Sequence, residues 1–170
     1  MLKLKKHSLL LFSLVSLFQT GVANADDLTV SGTVLSAACN IDTSNADQTI
    51  TFEDLYNVNL REAGSGSNWK KVDVLLTNCP AGTKKVTMTL SGTPAEDNTY
   101  FANTKDAANV VLQITDPTYA TTYKNGSTLQ TDVDASHDAA FELASRIYSP
   151  TGNGTAGAFE SVIMVNFTYQ

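Results

Sequence analysis

The last fourteen residues, Gly157 to Gln170, constrain this chain more than any other stretch. Every second residue reads Gly157, Phe159, Ser161, Ile163, Val165, Phe167 and Tyr169, and the intervening set is Ala158, Glu160, Val162, Met164, Asn166 and Thr168. Successive side chains of a strand point to opposite faces, so one face is largely apolar and the other mixed to polar. β-Branched and aromatic residues dominate, and no proline interrupts the ladder of backbone donors. The stretch reads as a strand whose apolar face needs a cover.

A second alternating segment lies near the other end. In Asp26 to Val34, residues Leu28, Val30, Gly32 and Val34 share one face, while Asp27, Thr29, Ser31 and Thr33 share the other. Two readings stay open at this point. The N-terminal segment can be donated to cover the apolar face of the last strand in a neighbouring molecule, or both segments can be edge strands of one closed sandwich.

Residues 1–25 read as a leader rather than as part of the fold. Met1 to His7 is basic, Ser8 to Phe18 is apolar, and Ala23-Asn24-Ala25 is an A-x-A cleavage site. The apolar run of eleven residues is too short for a bilayer span, which takes about 20. An exported, soluble chain without membrane insertion is expected, beginning at Asp26. It holds 170 − 25 = 145 residues, enough for one domain. Three of the 11 basic residues leave with the leader and all 17 acids stay, so net charge moves from −6 to 8 − 17 = −9. That balance argues against nucleic acid and anionic membranes as partners. Cys39 and Cys79 are the two cysteines, and in an exported chain a pair is expected to form a disulfide. Closing a loop of about 40 residues is worth about 4 kcal/mol on the chain-entropy model.

Strands are expected at Thr49 to Phe52, Trp69 to Thr77, Lys85 to Leu90, Val110 to Thr115 and Ala139 to Tyr148. In the last of these, period two places Phe141, Leu143 and Ile147 inside, with Glu142 and Arg146 outside. Asn125-Gly126, between Tyr123 and Leu129, reads as a hairpin. Gly, Ser and Pro clusters at Arg61 to Asn68, Ser91 to Pro94 and Thr151 to Thr155 read as loops. About seven to nine short strands without a convincing helix describe an all-β sandwich of one domain.

Catalytic chemistry finds little footing. After the leader the chain keeps one histidine, His137, in the polar run Thr131 to Asp138. It reads as a solvated loop residue, because no serine sits on a strained G-x-S-x-G turn. Asp132, Asp134 and Asp138 lack the glycine and closing glutamate of a calcium loop. Trp69, the single tryptophan, reads as packing or a half-exposed edge. The sequons at Asn125, Asn153 and Asn166 read as turns and strand. No catalytic residue, cofactor or metal site is expected.

Taken together, several features resemble the chaperone–usher pilin family. They are the leader, Gly32, Cys39 in Ala37-Ala-Cys-Asn40, Asp54-Leu-Tyr56, Leu76-Thr-Asn-Cys-Pro80, Gly157 fourteenth from the end and the penultimate Tyr169. Asp54 to Tyr56 and Asn78 to Thr83 resemble the minor adaptor subunits of type 1 fimbriae in particular. The resemblance implies an incomplete immunoglobulin-like sandwich lacking its last strand, with Cys39 and Cys79 joining the first two strands. It implies a donor extension over residues 26–38, centred on Leu28, Val30, Gly32 and Val34, and a pilin domain over 39–170. The acceptor groove would run along Gly157, Phe159, Ile163, Val165, Phe167 and Tyr169. A periplasmic chaperone would fill that groove first. At the outer-membrane usher, the extension of the next pilin would replace it. The implied role is a fimbrial structural subunit at the cell surface, linking rod and tip adhesin. A major rod pilin is the alternative within the family, and a secreted carbohydrate-binding sandwich the alternative outside it. The extension opens on Asp26-Asp27, where the family pattern has an apolar residue.

Overall fold

Alternation of apolar and polar side chains becomes two packed antiparallel sheets in the computed structural model, which describes residues 38–42 and 48–170. The leader and Leu28, Val30, Gly32 and Val34 lie outside the described residues. In chain order the strands are β1 (Asn40–Ile41), β2 (Ser65–Gly66), β3 (Lys70–Thr77), β4 (Lys85–Gly92), β5 (Phe101–Ala102), β6 (Val111–Thr115), β7 (Thr122–Tyr123), β8 (Thr128–Asp132), β9 (Ala139–Ser149) and β10 (Ile163–Tyr169). A 3₁₀ turn, Asn57–Leu60, precedes β2. The larger sheet runs β1-β3-β9-β6-β5, with β2 on β9 and β7 on β6, and the smaller runs β10-β4-β8.

Each long strand buries one face. Val74 and Leu76 of β3, Phe141 and Leu143 of β9, and Leu112 and Ile114 of β6 face Val86, Met88 and Leu90 of β4 across the core, while Ile147 of β9 packs with Leu60, Ala107 and Val110 in a second cluster. Glu142 is exposed and Arg146 half-buried, as the period-two reading of this segment expects. The core is thus made from inner faces that are nearly all aliphatic or aromatic, the arrangement that removes most apolar area from water. A disulfide joins Cys39, before β1, to Cys79, just past β3, with 4.2 Å between the Cα atoms. It therefore clamps the two strands that pair directly, Asn40 opposite Thr77 and Ile41 opposite Leu76.

Three expectations are corrected. Residues 49–52 form no strand; they run beside the core without sheet pairing, held by side chains such as Phe52, whose ring meets Phe159 edge-on at 6.4 Å. Asn125-Gly126 does turn the chain, but not as a hairpin: β7 pairs with β6 and β8 with β4, in different sheets. The turn is docked on β4 instead, since Gly92 N donates to Asn125 Oδ1 and Gly126 N to the Leu90 carbonyl. Finally, the last strand begins at Ile163 rather than Gly157. Residues 157–162 spend their backbone groups on the Asn103–Ala107 loop: Ala107 N donates to the Ala158 carbonyl, Thr104 N to that of Glu160, and Glu160 N to Asn103 Oδ1.

Candidate strand-acceptor groove

β10 is short of a partner. It pairs with β4 in continuous register from Ile163 opposite Gly92 to Tyr169 opposite Val86. Among the described residues no strand pairs with its other edge. Its inward side chains Ile163, Val165, Phe167 and Tyr169 are only half-buried, whereas Leu90, Met88 and Val86, which stand opposite the last three of them on β4, are 0–1 % exposed. Burial also raises the Tyr169 hydroxyl above its ordinary pKa. A strand that turns four apolar side chains inward and leaves them half-covered is a sheet edge that stops one strand early.

The missing cover is visible as an open groove of about 1050 Å³ between β10 and residues 48–56. Its floor is the inner face of the larger sheet, with Leu112, Ile114, Leu143, Ser145 and Ile147 among the residues exposed to it. Of the six residues expected along it, Gly157, Phe159, Ile163 and Val165 line the groove. Phe167 and Tyr169 continue the same face beyond it, against the core, where the Phe167 ring lies 6.1 Å from that of Phe141. Gly157 fits for lack of a side chain, because a Cβ there would stand 2.6 Å from Ala107 N.

The opposite wall was not legible in the sequence. Phe52, Leu55, Leu60, Ala107 and Val110 all border the groove; Leu55, Leu60 and Ala107 come from segments whose apolar residues follow neither period, and Val110, the first residue of an expected strand, stands just before β6. Only the alternation around Thr49 to Phe52 hinted at this wall, and it suggested a strand.

The candidate chemical groups sit elsewhere. His137 is exposed at a positive φ of 65°, with Nδ1 3.1 Å from the Cys79 carbonyl, so it braces the loop beside the disulfide. Asp134 accepts from Ser136 N and Asp138 N in a turn, and among the described residues no cluster suits a metal ion. Trp69 lies on the outer face, stacked on Tyr119 at 4.6 Å, with the Arg146 guanidinium 4.4 Å over its ring. Arg146 also lies over Tyr148, which packs on Tyr100. This aromatic stack draws on four separate segments, and sequence reading did not assemble it. No helix of the described residues is long and apolar enough to cross a membrane.

A family model for fimbrial proteins matches residues 28–170. The chain belongs to the fimbrial protein family. It is 35% identical to Protein FimG of Escherichia coli (strain K12), over 96% of this chain and 97% of that one. It is 37% identical to the S-fimbrial adhesin protein SfaS of Escherichia coli O6:K15:H31, over 84% of this chain and 83% of that one. Among solved structures, the P pilus rod subunit PapA superposes with a TM-score of 0.68 at 22% identity, over 79% of this chain and 100% of that one. That likeness speaks for the fold, which is the immunoglobulin-like sandwich of the chaperone–usher pilins. As a member of this family the chain is a structural subunit of a fimbria, exported through the periplasm to the cell surface.

Proposed function

We propose that the groove beside β10 accepts a strand from another protein, and that residues 26–38 form the strand this subunit donates in turn. The half-buried, unpaired inner edge of β10 is the observation that carries the reading. A periplasmic chaperone supplies the strand until the usher brings in the next subunit, whose extension takes its place. Leu28, Val30 and Val34 of this chain then fill a neighbour's groove, with Gly32 where the strand must lie close. Three apolar side chains buried in this way contribute about 5–9 kcal/mol. Whole-domain stability is about 5–15 kcal/mol, so an open subunit is marginal and a filled one robust.

Within the fibre, the role that fits best is a minor adaptor between rod and tip adhesin. The resemblance to type 1 adaptor subunits supports it, as does the match to FimG along nearly the whole of both chains. A rod role is the second reading, favoured by 31% identity to the PRS fimbrial major pilin protein of Escherichia coli. The leader is residues 1–25 and the pilin body 39–170.

The test is export of the mature chain with and without a co-expressed pilus chaperone, followed by thermal unfolding. Recovery only as a chaperone complex is expected. A stable, cooperatively unfolding monomer made without chaperone would show that the sheet closes on itself.

A further inference from the structure

One polar group interrupts the apolar floor of the groove. Ser145 lies on β9 between Leu143 and Ile147, at the inward positions of that strand, and all three line the groove. It is 4% exposed, and its hydroxyl has no hydrogen-bond partner. Its strand neighbours supply none: Lys70 on β3 turns its ammonium to Glu53 Oε1 at 3.3 Å, and Ile114 on β6 is apolar. A buried hydroxyl without a partner is costly, and native proteins rarely keep one unless something satisfies it.

We infer that Ser145 is a specificity-determining residue of the groove, which selects a donor strand presenting a hydrogen-bonding side chain such as Thr, Ser or Asn above it. The inference rests on the donor-strand reading and deepens it. Backbone N–H and C=O groups of an added strand lie in the plane of its sheet and point to its strand neighbours. Only a side chain projecting from that plane reaches the floor. The inward positions of this chain's own extension are Leu28, Val30, Gly32 and Val34, and none carries a polar side chain. Its own extension therefore leaves Ser145 unsatisfied, whereas a neighbour with one inward hydroxyl or amide satisfies it. The groove thus disfavours a second copy of the same chain and favours a different subunit, the selectivity that an adaptor needs and a rod subunit must lack. Rejection by an unpaired buried polar group is an effective way to separate similar apolar ligands.

The experiment is strand exchange into the chaperone-bound mature chain, using synthetic peptides of residues 26–38. One peptide has the native sequence, and four carry Thr in place of Leu28, Val30, Gly32 or Val34. Each is measured against the wild-type protein and against Ser145→Ala. One Thr peptide is expected to bind wild type about three- to tenfold tighter than it binds Ser145→Ala, relative to the native peptide, the size of one net hydrogen bond. The native peptide is expected to bind Ser145→Ala more tightly than wild type. If the native peptide binds but no position couples to Ser145, the inference is overturned while the donor-strand reading stands. If no peptide enters either protein, the donor-strand reading falls and takes the inference with it.

Discussion

Replacing Val165 by Asp separates an open groove from a filled one. Val165 is half-buried, lines the groove and sits opposite Leu90, which is 1% exposed. In the open subunit the new carboxylate keeps access to water, so the loss is about half the burial value of a valine, about 1 kcal/mol. Once a donor strand covers the position, the same carboxylate is buried without a partner, which costs about 3–5 kcal/mol in addition. The assay is urea unfolding of two proteins: the mature chain, and the same chain with residues 26–38 repeated behind a flexible linker after Gln170. The substitution is expected to lower the second protein's stability by about 4–6 kcal/mol and the first by about 1 kcal/mol. Burial raises the pKa of such a carboxylate above its unfolded value of about 3.9. The penalty is therefore largest at neutral pH and is relieved as pH falls toward about 4. Equal losses in the two proteins, or no pH relief in the filled one, would refute the inward placement of Val165 and the proposed course of the donor.

Three further outcomes are expected. Replacing Cys39 and Cys79 together by Ser removes a constraint across 40 residues and should cost about 4 kcal/mol, read as a shift in urea midpoint that reductant reproduces in the wild type. Gly157→Ala forces a Cβ against the backbone of Asp106 and Ala107 and should cost about 1–3 kcal/mol, while Gly82→Ala, which meets nothing within 4 Å, should be close to neutral by the same melts. The Asp116 carboxylate accepts from Thr118 Oγ1 and from the backbone of Thr118, Ala120 and Thr121, and these bonds lower its pKa from 3.8 to about 2. A depressed carboxylate supports the fold above its unfolded pKa and loses that support as pH falls through the folded one. The 116–121 loop should therefore hold Tyr119 on Trp69 until pH approaches about 2, followed by the emission of the single tryptophan. A fluorescence midpoint near the unperturbed value would count against this organisation of the loop.

Strand identity was legible wherever a segment carried its own period. Val72, Val74 and Leu76 announce β3, and Phe141, Leu143 and Ile147 announce β9, because a two-residue alternation is a local property that any inner sheet face imposes. Partner choice is not local. Asn125-Gly126 marks a turn from its own residues, but a two-residue turn joins paired strands only if both stay in one sheet. Here they do not, and nothing within the turn records that. Residues 49–52 fail for a related reason, since alternation describes side chains and says nothing of whether a neighbouring backbone is there to pair.

By itself, then, the sequence determined the cysteine pair, the all-β class, the apolar face of the last strand and the family resemblance, all of which follow from residue type and short-range spacing. The tertiary structure decided where β10 ends up: at an edge, beside irregular segments carrying Phe52, Leu60 and Val110, over a floor holding an unsatisfied Ser145. A groove is the space between segments far apart in the chain. Its walls and the one polar side chain of its floor are set by which strands meet, a long-range outcome that no single stretch encodes.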